Sequence, residues 1–142
     1  MRSMGVDVGA VRIGVALSEG SLALAHETLA ANDSAARRLS ELASEKGVKE
    51  IFVGLPLSLS GERTKSTEMA ADFARQLAAL TDAAVFVIDE RLSTVSSQRL
   101  LREAGRNTKQ TKSMIDAESA RAILDFALES PHSAMKIGDF DA

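Results

Sequence analysis

Apolar and β-branched residues near the amino terminus fall into two short runs with a glycine-containing turn between them. The runs at residues 3–8 and 11–18 therefore predict a β-hairpin, and a third short strand is expected at about residues 25–29. Two later runs, at residues 49–54 and 84–89, are apolar over most of their length, as in strands buried on both faces. The pattern thus predicts five strands.

Helical periodicity appears in the stretches that separate and follow the later strands. The predicted helices cover residues 33–46, 66–80, 94–103 and 114–128. Asn32 or Asp33 can cap the first helix, and Gly47 ends it. Residues 55–66 contain Ser, Gly and Pro and predict a loop. Pro131 prevents the last helix from continuing.

The order of these elements, β-β-β-α-β-α-β-α-α, predicts an α/β fold. A meander followed by alternating helices and strands favours a mixed five-stranded sheet, partly antiparallel and partly parallel, with helices on both faces. A chain of 142 residues has the size of one domain. We therefore expect a single domain over residues 1–130 and a loose, flexible tail over residues 131–142.

Composition narrows the chemistry that this domain can perform. The chain has no cysteine and only two histidines, His26 and His132. Disulfides and thiolate zinc sites are therefore excluded, and a bound metal would need oxygen ligands, which favours magnesium, manganese or calcium. The amino terminus lacks the pattern of a secretion signal and no apolar run is long enough to cross a bilayer, so we expect a cytoplasmic protein without membrane contact.

The net charge of −3 conceals a basic region. Residues 91–112 contain six basic side chains and one acid, which gives this segment a charge of +5. Its basic residues are Arg91, Arg99, Arg102, Arg106, Lys109 and Lys112. Such clustering favours binding to a polyanion, although a solvated helix face with a charged loop explains it equally well.

Carboxylates occur at positions where burial is expected. Asp7 lies within the first strand, where an ion without a partner would cost several kcal/mol; a bond to a neighbouring amide is the structural alternative. Asp89 and Glu90 close the last strand and point to opposite faces, so at most one is expected to share a site with Asp7, and the other can pair with an arginine. Asp116 heads the apolar stripe of the last helix, although an acid there can simply cap it.

If three such acids converge, they suit a site with one or two metal ions that hydrolyses phosphodiester bonds. The glycines of the first hairpin do not match the dinucleotide-binding motif, and the segment at residues 61–66 lacks the spacing of a P-loop. Within that segment, Arg63 and Lys65 can contact phosphates, or they belong to an ordinary polar loop.

Four stretches together resemble the YqgF family, also called RuvX. They are GVDVGAVRIGVALS (5–18), FVGLPLSLSG (52–61), DERLSTVSSQRLL (89–101) and IDAESARAILDFAL (115–128). The resemblance implies a ribonuclease H-like fold and a site that binds Mg²⁺, or Mn²⁺, through Asp7, Glu90 and Asp116. It thereby selects Glu90 over Asp89. It also implies that Arg12 and Arg91 hold phosphate.

The family is described both as pre-16S rRNA nucleases and as Holliday junction resolvases. The resemblance therefore implies maturation of the 5′ end of 16S rRNA, or alternatively cleavage of four-way DNA. The expected partners are structured RNA, in pre-16S rRNA or a ribosomal particle, or branched DNA, bound by a monomer or a homodimer. A non-catalytic, nucleic-acid-binding assembly factor is a further alternative. A sugar kinase is disfavoured, because the chain has no room for a second domain that closes over ATP.

Overall fold

The computed structural model describes residues 1–93 and 109–141, with side chains in the last helix from residue 115 onward. The helix expected at residues 94–103 lies outside the described residues. Among the helices of the described part, none is long and apolar enough to cross a membrane.

Six strands and three helices make up the described fold. The strands are β1 (Arg2–Val8), β2 (Arg12–Glu19), β3 (Leu22–Ala30), β4 (Val48–Leu55), β5 (Ala84–Asp89) and β6 (Met135–Lys136). The helices are α1 (Ala35–Lys46), α2 (Lys65–Leu80) and α3 (Lys109–Glu129). Short 3₁₀ turns cover Glu90–Leu92, Pro131–Ser133 and Ile137–Asp139.

All strands belong to one mixed sheet with the order β3-β2-β1-β4-β5-β6. β1, β2 and β3 form an antiparallel meander, while β4 runs parallel to β1 and β5 parallel to β4. The five expected strands are present, but the expected count is one too low. The extra strand, β6, pairs only Met135 and Lys136 with β5, and two residues are too few for a strand periodicity to be seen in sequence.

The segment after α3 also differs from the expected loose tail. Ile137 is buried in the core shared with α1 and α2, and the carboxylate of Asp141 pairs with both Arg63 and Arg75. Because these partners lie far away in sequence, no local pattern predicts the contacts. The segment from residue 131 to residue 141 therefore packs against the domain.

Each face of the sheet carries its own hydrophobic core, which confirms the expected helices on both faces. On one face, α1 and α2 bury side chains such as Leu39 and Leu77 against the sheet. On the other face, α3 buries Ile123 and Leu124 against Phe52 of β4 and its neighbours. Full burial of a side chain of this size contributes about 1.5–3 kcal/mol.

The helix boundaries follow local capping chemistry. α1 begins after Ser34 rather than Asn32 or Asp33; Asn32 instead accepts a hydrogen bond from the Ser34 amide at 2.9 Å. Gly47 ends α1 as expected, in the left-handed conformation with φ of 68° that glycine adopts most readily. Thr64 caps α2 in a reciprocal capping box with Thr67.

Glycines bring α3 almost into backbone contact with the first hairpin. A Cβ atom added to Gly5 would lie 2.6 Å from the carbonyl oxygen of Ala120. A Cβ atom added to Gly14 would lie well under 3 Å from the carbonyl oxygen of Asp116. Any side chain at these two positions would therefore displace the helix.

We predict that Gly14→Ala lowers the free energy of unfolding by about 1–3 kcal/mol or more, because the methyl group overpacks a backbone contact that has no flexible neighbour to move. Urea unfolding followed by circular dichroism measures this change. Gly138→Ala is the matched control: nothing lies within 4 Å of its added Cβ, so its effect should stay within about 0.5 kcal/mol. Equal stability of the two variants would contradict the packing described above.

Candidate active site

Asp7 lies at the end of β1 between two glycines. Its two neighbours across the sheet are glycines. On one side it pairs with Gly14 of β2. On the other side, the parallel register that pairs Val6 with Val53 places Gly54 of β4 next to Asp7. Because side chains alternate along a strand, Asp7 lies on the same face as Gly5, which is the face covered by α3. The residue is only 3% exposed.

Asp116 reaches the same region from α3. Its carbonyl oxygen lies over Gly14, and its carboxylate accepts a hydrogen bond from Nε of Arg12 at 2.7 Å. Helix capping does not explain this acid, because α3 begins seven residues earlier, at Lys109. The expected stripe is confirmed, since Ala120, Ile123 and Ala127 are all buried. Asp116 thus faces the sheet.

Glu90 completes the group from the turn that follows β5. Its side chain is buried, and its Oε2 atom lies 3.1 Å from the position that a Cβ of Gly54 would occupy, beside Ile123 of α3. Asp89 instead pairs with Arg91, at 2.6 Å. Hydrogen bonds from Arg91 hold the pKa of Asp89 below its ordinary value. Geometry therefore supports Glu90, rather than Asp89, as the neighbour of Asp7.

The three buried carboxylates thus lie at one end of the sheet on its α3 face. Their oxygen donors match the preference of Mg²⁺ and Mn²⁺, and burial of three acids at one end of the sheet favours a cation there. Among residues whose side chains are described, no three His, Cys, Asp or Glu side chains are placed closely enough to form a ready metal-binding group. The positive charge of Arg12 lies against Asp116.

The two arginines expected to hold phosphate both lie at this end of the sheet. Arg12 is on β2, two residues before Gly14, and its side chain is 24% exposed. Arg91 follows Glu90 directly and donates to the carbonyl oxygens of Ser58 and Leu59, at 3.4 and 3.2 Å. Their roles toward phosphate stay predictions, and the structure gives both residues internal partners.

Arg63 and Lys65 have different surroundings from the acidic group. Arg63 donates to Glu68 at 2.6 and 2.7 Å and to Asp141 at 2.6 Å, and its guanidinium lies 4.4 Å from the Phe140 ring. These contacts support a structural role in the loop. Lys65, at the start of α2, lines a cavity of about 570 Å³ on the opposite face of the sheet.

The remaining basic residues of the prediction are not placed by the structure. Arg102 and Arg106 lie outside the described residues, as do the side chains of Lys109 and Lys112, whose backbone belongs to α3. Their contribution to nucleic-acid binding stays a prediction.

Sequence reasoning missed two glycines of the site, Gly14 and Gly54. They provide the space in which Asp116 and Glu90 approach the sheet beside Asp7. The available signal was their position inside apolar strands, where glycine often marks a close approach.

Comparison with known proteins gives a family and a fold. The family model described as "RuvX: Holliday junction resolvase" matches residues 1–130. A protein of Leifsonia xyli subsp. xyli is 44% identical over 137 residues, which cover 94% of this chain and 88% of that protein. A protein of Clavibacter sepedonicus is 46% identical over 136 residues, covering 92% and 84%. Both relatives are named "Putative pre-16S rRNA nuclease".

Among solved structures, Thermus thermophilus RuvC in complex with a Holliday junction substrate superposes with a TM-score of 0.59. The match covers 96% of this chain and 99% of that chain at 13% sequence identity. This likeness confirms the expected ribonuclease H-like fold. The family match over nearly the whole chain, with relatives above 40% identity, shows that this protein belongs to the RuvX family.

Proposed function

We propose that this protein is a metal-dependent nuclease that hydrolyses phosphodiester bonds in the 5′-end maturation of pre-16S rRNA. The observation that carries the proposal is the burial of Asp7, Glu90 and Asp116 at one end of the sheet, on the face covered by α3. The names of the two relatives above support RNA as the substrate.

The three carboxylates would hold Mg²⁺, or Mn²⁺, by their oxygen atoms. A divalent cation in this place supplies Lewis-acid polarisation of the phosphate and an activated water. Each carboxylate comes from a different element, β1, the turn after β5 and α3, and the packing of α3 on the sheet brings all three to the same end of that face. Because these side chains do not form a ready metal-binding group, they would have to draw closer together when the cation binds.

Arg12 acts on both the acid and the substrate in this proposal. Its hydrogen bond fixes the carboxylate of Asp116, and its partly exposed side chain allows a phosphate to approach from solvent. The planar guanidinium can donate two parallel hydrogen bonds to a pair of phosphate oxygens. Arg91, next to Glu90, would contribute a second positive charge.

Cleavage of four-way DNA is a second candidate. The family description and the RuvC-like fold favour it. A junction presents two related strands, so a resolvase would act as a homodimer with two sites placed across the junction. Sedimentation with and without a junction distinguishes this arrangement from a monomer that acts on RNA.

We predict that Asp7→Asn keeps the fold and lowers metal-dependent cleavage by more than about 10²-fold, since loss of a ligand should cost at least as much as the 10–100-fold caused by loss of an outer partner. The assay offers each protein an RNA with the 5′ leader of 16S and, separately, a four-way DNA junction, with magnesium. Asp82→Asn, in an exposed turn, is the matched control and should cleave normally.

The substrate pattern separates the candidates. Cleavage of the RNA alone supports rRNA maturation, and cleavage of the junction alone supports a resolvase. Tight binding without cleavage of either substrate supports the non-catalytic assembly factor. Full activity of the Asp7→Asn variant would refute the proposed site.

A second prediction concerns the basic segment. Replacing Arg102, Arg106 and Lys109 by Gln should weaken RNA binding and reduce the slope of log K against log salt by up to about 2, at roughly 0.7 per phosphate contact on single strands. Filter binding across a salt series measures the slope. The control is a triple Gln variant of Arg37 and Arg38 in α1 and Lys49 in β4, all of which are exposed. It should keep the wild-type slope. Identical slopes for all proteins would show that the segment is merely a solvated surface.

A further inference from the structure

The loop between β4 and α2, residues 56–64, is braced by its own hydrogen bonds. The Gly61 amide donates to the Ser58 carbonyl at 2.8 Å, and the Ser58 amide donates to the Glu62 carbonyl at 3.0 Å. The Ser58 hydroxyl accepts from the Glu62 amide at 2.9 Å, and Leu57 forms a bridge with Arg63. These contacts make the loop a compact unit, so contacts on either side of it can set the position of its tip.

One side of this loop contacts the candidate active site. Arg91 donates to the carbonyl oxygens of Ser58 and Leu59, and its guanidinium lies against Gly61, 3.3 Å from where a Cβ would be. The opposite side of the guanidinium is held by Asp89, with Nε 3.0 and 3.1 Å from the two carboxylate oxygens. The side chain of Arg91, next to Glu90, is thus held between the end of β5 and the loop.

The other side of the loop contacts the C-terminal strap, which we define as residues 135–141. Arg63, near the end of the loop, donates to Asp141 at 2.6 Å and lies over the ring of Phe140. Asp141 also pairs with Arg75 of α2. The strap itself is anchored by the pairing of β6 with β5 and by the burial of Ile137. A continuous chain of contacts thus joins the strap to the active site.

We propose that Asp141 and Arg63 are positioning residues, which hold the 56–64 loop so that its carbonyl groups orient Arg91 beside Glu90. The kinetic part of this proposal rests on the nuclease function proposed above, whereas its structural part does not.

The nature of the contacts explains why their role is positional. The side chains of Arg63, Asp141 and Arg75 are between 38% and 51% exposed, and exposed ion pairs contribute little to overall stability. Removing one of them should therefore leave the two cores intact. The pKa of Asp141 is lowered by its hydrogen bond from Arg63, so the carboxylate is ionised at neutral pH and the strap is held under ordinary conditions.

The test compares Asp141→Asn with Asp141→Glu in the full chain. Glu19→Gln is the matched control, because Glu19 forms an exposed ion pair with Arg2 on a different part of the sheet. Hydrogen exchange of the amides at residues 58–62 and steady-state cleavage are measured for each protein. We expect Asp141→Asn to speed exchange in the loop and to lower kcat by roughly 3- to 30-fold with little change in KM, since a misplacement near 1 Å can cost up to 10²-fold. Asp141→Glu should restore most of both properties, and Glu19→Gln should match the wild type.

A double-mutant cycle tests whether the strap acts through Arg91. In an Arg91→Ala background, Asp141→Asn should lower kcat no further. Fully additive losses, or loop exchange in Asp141→Asn equal to that of the wild type, would overturn the proposal. If Asp141→Asn unfolds, Phe140→Ala weakens the same contact to Arg63 and takes its place.

The two proposals fail in distinguishable ways. If the wild type cleaves neither substrate, the proposed function fails, while hydrogen exchange still decides the positioning role: faster exchange at residues 58–62 in Asp141→Asn, but not in Glu19→Gln, supports it. If the wild type cleaves and the loop exchange is unchanged, the nuclease function stands and the positioning role is refuted.

Discussion

The close approach of α3 to the first hairpin is the constraint on which the rest of the structure depends. Gly5 and Gly14 allow backbone atoms of the helix to lie where any side chain would intrude. This distance determines the depth at which Asp116 meets the sheet, and Asp7 lies opposite Gly14 in the same pair of strands. A helix held farther away would separate the two acids and leave a gap in the core around Ile123 and Leu124, which a close-packed interior does not tolerate.

The same packing buries three negative charges at one end of the otherwise apolar α3 face of the sheet. Asp7, Glu90 and Asp116 are nearly excluded from solvent, and each buried ion costs several kcal/mol unless charge and hydrogen bonds compensate it. Arg12 compensates Asp116. An apolar replacement of all three acids would suit the α3 core better, so the acids are explained by a chemical role more readily than by stability. The packing of the fold thus gathers three carboxylates at a place where a cation would offset their charge.

Much of this arrangement can be predicted from the sequence. The parts that cannot be predicted have identifiable physical reasons. Continuous apolar runs and helical periodicity located β1 to β5, α1 and α2, and the alternation of a strand separated Asp89 from Glu90. The β6 strand is not predicted because two residues are too few to show a strand periodicity. The predicted start of the last helix, at residue 114, is too late because the first turns of α3 are polar. The selection of Glu90 itself came from the family resemblance. The contacts of Arg63 with Asp141 and Phe140 join residues more than 70 positions apart, and only tertiary structure brings such partners together.

The ion pairs of Arg12 and Arg63 have different surroundings. Arg12 and Arg63 are both arginines beside acids, yet the first bonds to a buried carboxylate of the site and the second to exposed carboxylates of α2 and the strap. Burial makes these two ion pairs differ in strength. A charge pair in a low-dielectric environment interacts strongly and requires precise geometry, whereas an exposed pair is weakened by solvent. The buried pair is suited to holding the carboxylate of Asp116 in a fixed orientation. A set of exposed pairs is suited to positioning a surface loop while adding little to the overall stability of the fold.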